Sequence, residues 1–168
     1  DQYGGNLEKR MTFAIEVLEA VRKAVGPDFV VGIRISADEL IPGGNTINDY
    51  QVIARKLEAT GHVDYFNVSS GTYYTPYIFT PPMLLPHGFR AYLAAEIKRV
   101  VDVPVFTVGR IKDPLLAEKI LADGQADMVG MTRAQIADTE LANKAKEGRL
   151  DDIRPCLGCN QGCISRLY

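Results

Sequence analysis

The sequence predicts an α/β protein with a parallel sheet, about half of a (β/α)8 TIM barrel, followed by a short cysteine-rich segment. Helix-period segments and short apolar runs alternate four times along the chain, the order of right-handed parallel crossovers. The first apolar run shows no period-of-two pattern, as suits a strand covered on both faces. Four strands in 168 residues is half of a barrel, since eight strands take roughly 250 residues. An open doubly wound sheet shows the same alternation, so pattern alone leaves both arrangements open. Residues 1–150 carry the α/β pattern and residues 151–168 the cysteines.

The first helix is expected from Leu7 to Val25. Leu7, Met11, Ala14, Leu18, Val21 and Val25 recur at three- and four-residue steps, Asn6 offers an N-cap, and Gly26-Pro27 stops it. The first strand is read at Phe29-Val30-Val31-Gly32-Ile33. A second helix runs from Ile47 to Thr60, ended by Gly61, and leads to the strand Tyr65 to Val68. The third pair is a helix from Phe89 to Val101 and a strand from Val103 to Val108, with its Pro near the start, where a strand tolerates one. Asp113-Pro114 is an N-cap with a first-turn Pro for a helix ending near Asp123-Gly124. The fourth strand is Met128 to Met131, and a last helix runs from Ala134 to Glu147. Ser69 to Gly88 is irregular and rich in Tyr and Pro, and loops of that length are usually functional or mobile.

Hydrophobic residues make up 46% of the chain and charged residues 24%, a globular balance. The net charge of −2 argues against nucleic acid or an anionic membrane surface as partner. No apolar run approaches the roughly 20 residues of a membrane span. The chain opens at Asp1 with no signal-like segment. Its three cysteines all lie between Cys156 and Cys163. So tight and odd a set is a poor disulfide framework and implies a reducing, cytoplasmic compartment and a metal site.

Ligands of parallel α/β folds bind at the carboxyl ends of the strands. The third strand ends in Gly109-Arg110 and the fourth in Gly130-Met131-Thr132-Arg133 opening a helix. Glycine admits close backbone approach, a helix start offers free N–H groups, and Arg adds a forked cation, which together suit a phosphate. The alternative is that Arg110 and Arg133 are surface residues paired with nearby acids. Arg34 is read as either a cation facing an anionic cofactor or the partner of Asp38 or Glu39. Cys156-Leu-Gly-Cys159-Asn-Gln-Gly-Cys163 can bring thiolates to one centre, and soft sulfur selects zinc or iron–sulfur. His62 reads as a surface residue. His87, Tyr73, Tyr74 and Tyr77 lie in the long loop facing the site.

Several motifs then occur in order: Asp1-Gln-Tyr-Gly-Gly-Asn-Leu-Glu-Lys-Arg10, Gly32-Ile-Arg34-Ile-Ser36, Gly109-Arg110-Ile-Lys-Asp113-Pro, Gly130-Met-Thr-Arg133 and Ile153-Arg-Pro-Cys156-Leu-Gly-Cys159-Asn-Gln-Gly-Cys163. Together they resemble the flavin-dependent Old Yellow Enzyme family, in particular its iron–sulfur branch with 2,4-dienoyl-CoA reductase and trimethylamine and histamine dehydrogenases. The resemblance spans essentially the whole chain. It implies the C-terminal half of an FMN-binding TIM barrel, from the helix after strand four to helix eight, followed by the start of a 4Fe-4S cluster segment. By that match Arg34 faces the flavin ring, Gly109, Arg110, Gly130, Thr132 and Arg133 hold the FMN phosphate, and Cys156, Cys159 and Cys163 are cluster ligands, with a fourth beyond Tyr168. Hydride transfer through the flavin to or from an enoate- or dienoyl-CoA-like small molecule is implied, with oxidation of an N-methylated amine as the alternative. NAD(P)H as donor, FAD in a domain further downstream, the remainder of the barrel as partner and a homo-oligomer are also consistent with it.

Three departures stand out. Glu8-Lys9-Arg10 replaces the family's Glu-Asn-Arg, and Asp138-Thr139 its Asp-Pro. Where reductases of this branch carry a catalytic His, this chain has Thr72, Tyr73 and Tyr74, which points either to the amine-oxidising relatives or to Tyr73 and Tyr74 as substitute proton donors. A zinc-stabilised phosphate-binding module without redox chemistry is the reading from another class. Purified full-length protein is expected to be yellow-brown, with flavin bands and a broad iron–sulfur shoulder, whereas a colourless zinc protein would favour the rival. The 168 residues alone leave sheet edges unpaired. They are expected to aggregate or bind FMN weakly, which gel filtration with flavin absorbance checks.

Overall fold

Four parallel strands in sequential order, β1 (Gly32–Ser36), β2 (Tyr65–Ser69), β3 (Val105–Val108) and β4 (Met128–Gly130), form the sheet of this chain. The computed structural model describes residues 2–166, so Asp1 of the opening motif and Tyr168 lie outside the described residues. Sequential order separates the two arrangements that the pattern left open. A doubly wound sheet reverses its order at a switch point, whereas barrel strands follow one another.

The helices are α1 (Leu7–Val25), α2 (Ile47–Glu58), α3 (Pro76–Phe79), α4 (Ala91–Lys98), α5 (Pro114–Ala122), α6 (Thr132–Ala137) and α7 (Leu141–Lys146), with a 3-10 turn at Leu150–Asp152. Helix α1 has the bounds its periodicity predicts, and Asn6 caps it by accepting from Lys9 N at 3.0 Å. Asp113 caps α5 through Leu115 N at 2.9 Å.

Among the described residues only one sheet face is covered. Ile35, Phe66, Val68 and Val105 are buried, as are Ile53, Ala54 and Leu57 of α2 and Leu93, Ala94 and Ile97 of α4. Each large side chain so buried stabilises the fold by roughly 1.5–3 kcal/mol. The alternating residues Arg34, Tyr65, Asn67, Phe106 and Met128 are half-buried or exposed. The expectation of a first strand covered on both faces is therefore not met among the described residues. This open face is the one that a closed barrel turns inward.

Three other expectations change. The first strand starts at Gly32, three residues later than the apolar run, and Phe29 and Val30 are exposed. The cause is Asp64, whose carboxylate accepts from Val31 N at 2.7 Å while its own N–H donates to Val31 O at 2.7 Å, so pairing begins only after Val31. Asp127 ties down the start of β3 in the same way, accepting from Val105 N and donating to Val105 O. The irregular loop contains the short helix α3 and narrows the following helix to Ala91–Lys98. The last helix is two helices, α6 and α7.

The break between them is Asp138, extended at φ −141° and ψ 103°. Its buried carboxylate accepts from Lys144 Nζ at 2.7 Å, Arg154 N at 2.8 Å and Glu140 N at 3.0 Å. It thus fastens α7 and the approach to the cysteines to α6. The Lys144 ammonium first, then these N–H groups, hold its carboxyl at about 2 against an ordinary 3.8. A carboxyl lowered on folding stabilises above its unfolded value and loses that contribution as pH falls towards the folded one. In urea unfolding of the full chain, Asp138→Asn is expected to be less stable than wild type above about pH 5. That gap should close progressively between about pH 4 and pH 2.

Candidate functional site

At the carboxyl ends of the strands lies a cavity of about 290 Å³, near the lower end of the roughly 300–1,000 Å³ usual for ligand sites. Five cationic residues, Arg34, Arg90, Arg110, Lys112 and Arg133, line it, and among the described residues no Asp or Glu does. Gly109, Gly130 and Thr132 line it too, as do Cys156 and Cys163. The cofactor-binding set expected from the sequence thus shares one hollow.

The four arginines are held by neutral oxygens. Arg34 lies within β1, not after it, and donates to Asn67 Oδ1 at 3.2 Å and Ser69 Oγ at 3.0 Å. Its proposed acidic partners are engaged elsewhere: Asp38 caps Leu40 N, and Glu39 accepts from Asn45 and Tyr50. Arg110 donates through Nη1 to Leu85 O. Arg133 Nη1 donates to Pro81 O at 2.9 Å and Asn160 Oδ1 at 2.7 Å. The surface-pairing alternative for these two arginines is not what the structure contains. Carbonyls satisfy a guanidinium without cancelling its charge, so the cavity keeps its positive potential.

Arg90 is the residue that sequence reasoning missed. It is 2% exposed and donates through Nε to Ser70 Oγ at 2.7 Å and through Nη2 to the carbonyls of Ser70, Ile78 and Phe79. Burial, and then the like charges of Arg34 and Arg133, lower its pKa to about 10, so it remains cationic at neutral pH. Its sequence signal is faint, because an Arg at a loop-to-helix junction ordinarily reads as surface.

The two glycines have packing reasons. Gly109, at φ +136°, carries Arg90 across it: a Cβ there would sit 2.9 Å from Arg90 Cδ. A Cβ on Gly130 would sit 2.7 Å from Val108 Cγ1. Arg110 itself has φ +56°, a left-handed conformation that costs a non-Gly residue roughly 1–3 kcal/mol. Its Nε is buried with no acceptor among the described residues, a cost of about 1–3 kcal/mol while it stays unmet. The acid-free cationic lining of the hollow fits an anion.

Tyr73 and Tyr74 are not among the cavity's lining residues. They are 80% and 85% exposed, and Tyr73 packs only its ring on Phe79, 5.3 Å between centroids. His87 is exposed and off the lining, its pKa lowered by desolvation and then by Arg110 and Lys112. His62 is peripheral, its carbonyl taking Arg22 Nη2. Cys156 is half-buried, Cys159 and Cys163 are exposed, and Cys159 does not line the cavity. Among the described residues no three His, Cys, Asp or Glu side chains form a metal-holding group. The expected convergence of three thiolates is therefore not seen among the described residues. The loop is shaped instead by Asn160 and by Gly158, which lies against Met83 and Arg110.

Fold and site together define a β/α segment with a cationic hollow at its strand ends. Residues 1–152 match the NADH:flavin oxidoreductase / NADH oxidase family, to which this chain belongs. It is 48% identical over 164 residues to an NADH oxidase of Thermoanaerobacter brockii, covering 98% of this chain and 25% of that protein. It is 49% identical over 171 residues to the N,N-dimethylglycine/sarcosine dehydrogenase of Chromohalobacter salexigens, covering 100% and 24%. Its fold matches 2-naphthoyl-CoA reductase in complex with 2-naphthoyl-CoA at a TM-score of 0.91 and 38% identity, over 97% of this chain and 25% of that one. The chain spans about a quarter of the length of these curated relatives.

Proposed function

We propose that this chain supplies the phosphate-holding and ring-facing part of an FMN site in a flavin-dependent oxidoreductase. The observation that carries this reading is the cavity lined by five cations and no acid, with Arg110 Nε buried and unmatched. Arg110 and Arg133 hold the dianionic phosphate, Thr132 adds a hydroxyl donor, and Gly109 and Gly130 keep the floor clear. Arg34, on the open sheet face, offsets negative charge on the flavin ring. Bound there, the flavin supplies two-electron transfer; the chain contributes binding, orientation and compensating charge.

The substrate class proposed first is an activated alkene or acyl-CoA reduced at the expense of NAD(P)H, supported by the fold likeness to 2-naphthoyl-CoA reductase. An N-methylated amine is the second reading, favoured by the dehydrogenase relative. Cys156, Cys159 and Cys163 are proposed as soft-metal ligands, an iron–sulfur centre before zinc.

Hydrogen bonds to charged groups contribute roughly 1.5–3 kcal/mol each, or roughly 10–100-fold in affinity. In flavin titrations of the stripped full chain, Arg110→Ala and Arg133→Ala are each expected to weaken FMN binding by that factor. Riboflavin, which lacks the phosphate, should bind as before. Equal losses for both flavins would defeat the phosphate assignment.

A further inference from the structure

The cations and the cysteine loop meet on one short run of main chain. Four successive carbonyls, from Ile78 to Pro81, are each taken by a side chain from elsewhere. Arg90 takes those of Ile78 and Phe79, Asn160 Nδ2 takes that of Thr80 at 2.7 Å, and Arg133 takes that of Pro81 at 2.9 Å. Asn160 works in both directions. While its Nδ2 donates to Thr80, its Oδ1 accepts from Arg133 at 2.7 Å. The orientation of the amide follows from its partners, since a carbonyl only accepts and a guanidinium only donates.

We propose that Asn160 is a positioning residue of the anion cavity, holding the Arg133 guanidinium where it meets a phosphate. This rests on the reading of Arg133 as a phosphate-holding group. Arg133 is long, carries about 2 kcal/mol of rotamer entropy, and stands among like charges. Left with Pro81 O alone it swings towards solvent, where its charge is better hydrated. The amide pins it without neutralising it, as an Asp in the same place would. Asn160 can do this because it sits at φ +60°, a left-handed conformation that Asn tolerates better than most residues. It lies between Cys159 and Cys163, so the shape of the cysteine loop sets the position of Arg133.

The test uses the stripped full chain, with FMN and riboflavin as probes. Asn160→Gly removes the amide but keeps the backbone conformation, which glycine adopts freely. It is expected to weaken FMN binding about 3- to 10-fold, to leave riboflavin unchanged, and to add nothing in an Arg133→Ala background. Asn160→Asp, which places a carboxylate on Arg133, should weaken FMN binding more than Asn160→Gly does. The inference is overturned if Asn160→Gly binds FMN as wild type does, weakens both flavins equally, or adds its loss in full to that of Arg133→Ala. If Arg133→Ala leaves the FMN-to-riboflavin preference unchanged, the phosphate reading falls and this inference with it. A wild-type result for Asn160→Gly beside a weakened Arg133→Ala removes the inference alone.

Discussion

The capture of arginine side chains by main-chain carbonyls of the loop between β2 and α4 is the constraint on which the site depends. Arg90, Arg110 and Arg133 all donate to that loop. Carboxylates in its place would bind the same donors and abolish the positive potential. Carbonyl dipoles orient the groups and leave their charge available, at the expense of crowding like charges together. Burial first, and then that crowding by Arg34 and Arg133, lower the pKa of Arg90. The arrangement also makes the loop a structural member: it is irregular because its carbonyls serve side chains in place of a helix or sheet ladder.

The amino ends of the strands follow the opposite rule. There Asp64 and Asp127 accept the N–H groups of Val31 and Val105 and are themselves paired with Arg22 and Lys98, while Glu58 accepts from Asp102 N and Val103 N. These groups fix where β1 and β3 begin. One end of the sheet is thus built for register and the other for ligand, a division of labour common to β/α barrels.

Much of this was legible from local chemistry. The α1 periodicity with Asn6 and Gly26 at its ends, and the Asp113-Pro114 cap, are decided within a few residues and come out as read. So does the gathering of Arg34, Gly109, Arg110, Gly130, Thr132 and Arg133, because strand ends of a parallel sheet lie together whatever the loops do. What escaped depends on distant partners. The start of β1 is set by Asp64, more than thirty positions away. The split of the last helix is set by Asp138 gripping Arg154 N. Arg90 is buried only because the loop folds over it. The cysteine spacing suggests three converging thiols, but spacing says nothing of Asn160, which ties the loop to Thr80 and Arg133.

The two-ended sheet has a consequence for how the molecule meets solutes. At the strand starts Asp64 and Asp127 are paired with Arg22 and Lys98, whereas the cavity at the strand ends is lined by five cations and, among the described residues, by no Asp or Glu. The overall sum of −2 is an average over surfaces of different character. A small polyanion near that mouth meets a positive potential, one that dissolved salt weakens. A total charge close to zero is therefore a poor guide to the local field at the strand ends.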